Sequence, residues 1–326
     1  MKYKFWSDFM GSISSIRIFG FLANWSPFFL VAIIFTTVVF FLITGRWRHE
    51  IPGNRPLKRS EAITFVICMI LLYAMKGAPV DLLSHIIFSF HMLQMAVLYL
   101  LIVPLLFFAI PEYLIDYCIK QPFIETVFNF LTRPIIALIT FNGLFSIYHI
   151  PTILDGLKQN ATLHSLFTIL LFITAFFMWY PIFNRTGLKR KQLSGLVKIG
   201  YIFAIGVLLT PACGLIIFAS HAMYKTYTDP AAWMSAMSLC VPTGTLQDIV
   251  QSSNISGPQY FTNMTPKDDQ QTGGVIMKVL QEIFFGFMLF HVFFRWSREE
   301  RMSPEEITQR SLDEKLQQDA YFNQYR

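Results

Sequence analysis

Charge is the scarcest property of this 326-residue sequence. Only 14% of its residues are Asp, Glu, Lys or Arg, whereas 54% are apolar and 16% are aromatic. Soluble domains carry roughly 25% charged residues, so the composition excludes an ordinary soluble protein. The mean hydropathy of +0.49 agrees with this exclusion. We therefore predict an all-α, polytopic integral membrane protein.

Cysteine pairs and known hydrolytic motifs are also missing. The chain has four scattered cysteines and no Cys-x-x-Cys, which excludes a thiol–disulfide centre. It has no His-Glu-x-x-His, the spacing of zinc hydrolases, and we predict that it is not an enzyme. The net charge of +6 comes from Lys and Arg beside apolar runs, where anionic lipid explains it better than nucleic acid does.

Seven apolar runs have the length and composition of membrane helices. The predicted spans are 27–44, 61–76, 82–110, 134–148, 162–183, 193–220 and 274–294. Most Lys and Arg residues follow odd-numbered spans, and positively charged loops stay in the cytoplasm. We predict a multi-pass plasma-membrane protein with its N-terminus outside. Residues 1–26 then form an outer interfacial segment, 27–294 the membrane domain with an outer loop at 221–273, and 295–326 a cytoplasmic helical tail. Within the outer loop, Asp229 before Pro230 predicts the N-cap of a short helix, and Trp233 would make this helix lie on the membrane surface.

Histidine and methionine concentrate in the outer half of this predicted bundle. His91 and Met95 share one helical face, because residues four apart are neighbours on a helix, and Met92 adjoins them. Imidazole and thioether groups together suit copper, especially Cu(I). We predict a copper site, with further candidate ligands near the outer ends of other spans. They are His85, His149, His164 and His221.

A second polar set lies at a similar predicted depth. Lys278 and Glu282 are four residues apart in the last span, and opposite charges within a membrane should pair and face the bundle interior. Asn142 precedes His149 by seven residues on the same helical face. We predict a polar layer of His91, Asn142 and Glu282 beneath the outer histidines.

Several ordered motifs resemble those of one bacterial protein family. They are the run from His85 to Met95, which includes His91-Met92, the triplet His149-Ile150-Pro151 followed by His164, the triplet Trp179-Tyr180-Pro181, and the segment from Asp269 to Met277. Together these motifs resemble the polytopic, Bacillus-type branch of the CtaG family of cytochrome c oxidase assembly factors. The resemblance extends from Trp25 to Trp296.

This resemblance implies a membrane protein that matures a haem–copper oxidase by delivering copper to it, with the oxidase subunits as partners. The family pattern has a second histidine where this chain has Met95, so the ligand set would mix imidazole and thioether. Asp269 and Glu282 would orient imidazoles from behind, as metal-bound histidines usually require. Lys278 and Asn142 would support them.

Other functions stay open from the sequence. A copper transporter or channel would use the same His and Met residues as a permeation path. A haem-binding membrane protein would use two histidines as axial ligands. A structural partner of the oxidase would need no metal. The identity of the metal, the neighbours of each helix and the oligomeric state are also open.

Overall fold

The computed structural model describes residues 16–183, 193–238, 241, 257–300 and 304–323. All regular secondary structure in these ranges is helical, which confirms the predicted all-α class. Residues 1–15 of the predicted N-terminal segment and 239–240 and 242–256 of the predicted outer loop lie outside the described residues, as does Cys240.

The described residues form fifteen α-helices. In chain order they are α1 (Gly20–Asn24), α2 (Pro27–Thr44), α3 (Arg59–Lys76), α4 (Pro79–Ile86), α5 (Phe88–Ala96), α6 (Val103–Ala109), α7 (Glu112–Ile119), α8 (Pro122–Leu131), α9 (Pro134–Tyr148), α10 (Pro151–Lys158), α11 (Ala161–Phe183), α12 (Gly195–Ile217), α13 (Pro230–Met237), α14 (Pro266–Glu300) and α15 (Pro304–Asn323).

Five helical stretches are long and apolar enough to cross a membrane: α2, α5 continued into α6, α11, α12 and α14. Two further pairs qualify only if each bent pair counts as one span. Helices α3 and α4 meet at a bend of 40°, and α8 and α9 at a bend of 78°. The structure therefore supports five spans, or up to seven with both bent pairs.

The predicted span 82–110 is wrong as a single element. The chain is extended at Ile87, with φ −125° and ψ 124°, so α4 ends before it and α5 begins after it. Below α5, residues Val97–Ile102 adopt a wider π-helical turn that leads into α6. Pro104 lies at the start of α6 and has no N–H to donate, which fits an irregular turn at this point.

The core lies between α5, α11, α12 and α14. The Trp179 side chain is fully buried there, and its indole N–H donates to the Tyr99 carbonyl at 2.9 Å. This bond ties α11 to the π-helical turn. Outward faces remain apolar and exposed, for example at Phe203 and Phe287, as expected of helices that face lipid rather than water.

Two helices outside the core were also predicted from sequence. The Asp229 carboxylate accepts a hydrogen bond from the Ala232 N–H at 2.8 Å, which confirms it as the N-cap of α13. Trp233, predicted to lie on the membrane surface, is instead buried in a cluster with Leu82 and Ile86 of α4. Helix α15 lies within the predicted tail, 295–326.

One end of the bundle carries most of the buried polar groups. Helices α5, α11 and α14 begin at this end, and α9 ends there. We call it the histidine end.

Candidate functional site

Four of the seven histidines meet at the histidine end as two pairs. The ring centroids of His91 and His149 are 5.9 Å apart, and those of His85 and His164 are 5.3 Å apart. Each histidine comes from a different part of the chain: α4, α5, the residue that ends α9, and the first turn of α11. The predicted gathering of these histidines in one half of the bundle is confirmed.

Tyr148 lies between the two pairs. Its ring centroid is 5.7 Å from that of His91, and its hydroxyl oxygen is 3.4 Å from Nε2 of His164. The side chain is fully buried. Tyr148 and the four histidines therefore form one continuous group, which we call the histidine cluster.

Within the part of the chain that the structure describes, several imidazole nitrogens of the histidine cluster are buried without a hydrogen-bond partner. They are both ring nitrogens of His91, Nδ1 of His85 and Nε2 of His149. A buried polar atom left without a partner costs roughly 1–3 kcal/mol. Such atoms in a native protein need an explanation, and an ion or a ligand is one of the usual ones.

His149 shows how one imidazole is oriented for binding. Its Nδ1 lies 2.8 Å from the carbonyl oxygen of Phe145. A carbonyl only accepts hydrogen bonds, so Nδ1 carries the proton and the lone pair belongs to Nε2. Burial lowers the pKa of His149, which follows the last residue of α9, to about 4. The ring is therefore neutral at physiological pH, the form that binds metals.

Asp269 determines where the helix that carries His91 begins. Its carboxylate oxygens accept hydrogen bonds from the backbone N–H groups of Phe88 at 2.7 Å and Ser89 at 3.0 Å. Helix N-termini have free N–H groups, which a carboxylate satisfies. Asp269 was predicted to orient an imidazole, but its oxygens are directed at this backbone instead. It positions His91 by capping α5.

The residues around Asp269 hold α14 against its neighbours. A Cβ atom on Gly273 would lie 2.8 Å from Cδ1 of Phe88 and 3.0 Å from Cγ of Met92, so only glycine allows this approach. Gln270 accepts a hydrogen bond from the Met223 N–H at 2.7 Å. The segment that begins at Asp269 therefore shapes the histidine end through packing and backbone contacts.

A buried lysine adjoins the histidine cluster. Nζ of Lys158 donates to the carbonyl oxygen of Ser84, the neighbour of His85, at 3.0 Å. It also lies 5.0 Å from the ring centroid of Tyr227, whose hydroxyl donates to the same carbonyl at 2.9 Å. The structure thus places a lysine side chain directly beside the histidine cluster.

The two candidate methionines are fully buried in α5. Met92 is directed at α14, where its Cγ lies against Gly273. Met95 is one turn beyond His91 within the same helix, as the sequence spacing predicts. Met95 therefore lies one helical turn from His91 on the same side of α5.

Three candidates lie outside the histidine cluster. His221 is exposed, and its Nδ1 is 3.1 Å from the hydroxyl of Ser220. Lys278 and Glu282 form the predicted ion pair at 2.7 Å, but their side chains are 30% and 64% exposed. The prediction that this pair faces the bundle interior is wrong, and with it the polar layer that included Glu282. The Lys278 ammonium also donates a hydrogen bond to the exposed hydroxyl of Thr210 on α12, at 2.9 Å.

Asn142 is buried in α9, as predicted. Its amide nitrogen donates to the Leu138 carbonyl at 2.8 Å, and its Oδ1 has no partner among the described residues. An unpartnered acceptor two turns before His149 adds to the polar character of this end of the bundle.

Sequence reasoning missed Tyr148 and Lys158. Tyr148 directly precedes a candidate ligand, and tyrosine beside histidine was the available signal. In the sequence Lys158 is only a charge between two apolar runs, because its burial depends on Ser84 and Tyr227, which are 74 and 69 positions away. Neither contact has a local sequence pattern.

The donor set suits a soft metal ion. Imidazole nitrogen and thioether sulfur favour copper, whereas hard cations require carboxylates. Among the described residues, no three His, Cys, Asp or Glu side chains converge as a metal-binding group. Any metal bound here would therefore have few ligands from this set.

One comparison with known proteins identifies the family. The family model for the cytochrome c oxidase caa3 assembly factor, Caa3_CtaG, matches residues 38–299. No curated protein and no solved structure matches the chain. Because the match covers most of the sequence, the chain belongs to the Caa3_CtaG family.

Proposed function

We propose that this member of the Caa3_CtaG family supports the assembly of cytochrome c oxidase by holding copper in the histidine cluster and passing it to the oxidase. The observation that carries the proposal is the pairing of His91 with His149 in the core. Among the described residues neither ring nitrogen of His91 has a hydrogen-bond partner, and the ring centroid of His149 lies 5.9 Å from that of His91. Copper is therefore cargo that the protein passes on, and it is not a cofactor that stays bound.

The charge distribution supports one orientation of the protein in the membrane. Basic residues such as Arg46, Arg55 and Arg133 lie at the end of the bundle opposite the histidine end, and such residues mark the cytoplasmic side. We infer that the histidine end faces outward from the plasma membrane, where it would meet the outer part of an oxidase.

The same observations argue against the alternatives. A transport path would need polar groups beyond the histidine cluster, whereas Val97, Leu98 and Leu100 continue the core below α5. A haem would need open space around the line that joins two histidines, where the porphyrin plane would lie. Instead, the Phe145 ring lies 4.3 Å from that of His149.

Copper binding by the full-length protein tests this proposal. The wild type, His91→Ala and His49→Ala would be purified in detergent, loaded with Cu(I) without oxygen, and assayed for metal after desalting. His49 is exposed in the loop after α2 and serves as the control. We expect copper in the wild type and His49→Ala and a clear loss in His91→Ala. Equal, substoichiometric copper in all three proteins would contradict the proposal.

A further inference from the structure

The histidine cluster presents its imidazoles as two pairs rather than as one group of three or four. We propose that each pair is a separate two-coordinate Cu(I) site, one formed by His91 and His149 and the other by His85 and His164. This inference rests on the proposed function and deepens it, because it specifies the oxidation state of the cargo and the number of ions per chain.

The spacing within each pair supports linear coordination. With metal–nitrogen bonds of about 2 Å and about 1 Å from each nitrogen to its ring centre, a linear bis-imidazole complex separates the ring centroids by about 6 Å. The observed separation is 5.9 Å for His91 and His149, which matches this value. It is 5.3 Å for His85 and His164, so these two rings would have to move apart slightly, or bind with a bent N–Cu–N angle. Cu(I) accepts two-coordinate geometry, whereas zinc sites in proteins are almost always tetrahedral.

Hydrogen bonds behind the imidazoles match what metal-bound histidines require. Such a histidine donates its other ring N–H to a nearby acceptor. Nδ1 of His149 already donates to the Phe145 carbonyl. When Nδ1 of His164 holds copper, its Nε2 carries the proton and can donate to the Tyr148 oxygen, 3.4 Å away. Each pair thus has one imidazole with a support of this kind.

The buried lysine favours the lower oxidation state. Nζ of Lys158 is bonded to the carbonyl of Ser84, directly beside His85. Repulsion between charges rises with their product, so this ammonium disfavours Cu(II) more strongly than Cu(I). Among the described residues, no third His, Cys, Asp or Glu ligand joins either pair to offset that repulsion.

Burial orders the two sites. His91 is fully buried, whereas His85 is partly exposed. Copper leaving the deeper pair would therefore pass to the shallower pair, with Tyr148 beside both. In this step a bond from copper to His91 or His149 breaks as one to His85 or His164 forms. Copper remains Cu(I) throughout, so no oxidant or reductant is needed.

The test counts copper ions and their ligands in the full-length protein, with Cu(I) itself as the probe. Protein in detergent is loaded without oxygen, desalted and analysed for copper per chain and for coordination by X-ray absorption. We expect two ions per chain, each with two imidazole nitrogens. His149→Ala and His164→Ala should each retain one ion, and His49→Ala should retain both.

Two results would overturn this inference. One ion per chain with three or four ligands, lost in every cluster variant, would leave the proposed function standing and refute the two-site arrangement. Absence of copper from the wild type would refute copper binding itself. X-ray absorption on the unsubstituted protein gives the ligand number even where a histidine variant fails to fold.

Discussion

The carboxylate of Asp269 accepts a hydrogen bond from the backbone N–H of Phe88 at 2.7 Å, across 181 positions of sequence. This bond, with the one from Ser89 at 3.0 Å, supplies the cap that starts α5 after the extended residue Ile87. Because His91 lies in the first turns of α5, a carboxylate on α14 determines where this histidine lies in the core.

Replacement of Asp269 should destabilise the histidine end. Loss of an N-cap costs roughly 0.5–2 kcal/mol, and two buried amides would lose their acceptor as well. We expect Asp269→Ala to unfold at a lower temperature in detergent and to bind less copper. Asp269→Asn retains one acceptor oxygen, so its unfolding temperature and copper content should lie between those of the wild type and Asp269→Ala. Asp268→Ala is the matched control, because Asp268 is exposed and its hydrogen bonds are to nearby Thr265. Equal melting temperatures for all the variants would contradict the capping role.

Gly273→Ala should separate α14 from α5. The new Cβ would lie 2.8 Å from the Phe88 ring and 3.1 Å from the Ser89 Cα. Because the contact with Ser89 is a backbone contact, the clash can be removed only if one of the two helices shifts. Such overpacking costs roughly 1–3 kcal/mol. Gly286→Ala in the same helix is the control, since a Cβ there meets nothing within 4 Å. The thermal unfolding temperature should fall for Gly273→Ala and stay unchanged for Gly286→Ala. Equal unfolding temperatures of the two variants would show that the close approach of α14 to α5 does not require glycine at position 273.

Tyr148→Phe removes one hydroxyl and keeps the ring. If the Tyr148 oxygen supports His164 when copper is bound, Cu(I) affinity at the His85–His164 pair should fall by about 10- to 100-fold, as is usual when such a partner is lost. Competition with a Cu(I) chelator would measure it. Tyr201→Phe is the control, since it loses a buried hydroxyl bonded to the Met178 carbonyl, away from the histidine cluster. An unchanged affinity in Tyr148→Phe would exclude this supporting role.

Lys158→Met removes the ammonium beside the histidine cluster and keeps most of the side-chain volume. The Ser84 carbonyl retains its hydrogen bond from Tyr227. Removing a nearby positive charge should tighten Cu(I) binding by on the order of tenfold, measured by the same competition. The exposed Lys225 provides the control variant, Lys225→Met. If Lys158→Met bound Cu(I) no more tightly than the wild type, the ammonium would have no electrostatic effect on the site.

Local patterns in the sequence predict the helices well. The predicted span 134–148 has the same bounds as α9, because Pro134 starts the helix and the apolar run ends at His149. Asp229 before Pro230 correctly predicts the start of α13. In both places the signals lie within a few residues of the helix end, where propensity and capping act.

Long-range contacts were not predictable in the same way. Nothing in the sequence near Ile87 breaks a helix, since the cap comes from Asp269 on α14. The gathering of outer histidines followed from their positions in the spans, but their division into pairs depends on which helices adjoin. The outward-facing Lys278–Glu282 pair shows the same limit, because helical spacing predicts the ion pair and not the direction in which the helix presents it.

The copper content of cytochrome c oxidase in cells is the most direct test of the central claim. A strain without this protein would be complemented with the wild type, with His49→Ala, or with a variant in which His85, His91, His149 and His164 are all alanine. Membrane levels of each protein would be matched by immunoblot. We predict an oxidase depleted of copper only with the four-alanine variant. Full copper content and activity with that variant, at equal membrane levels, would contradict the account.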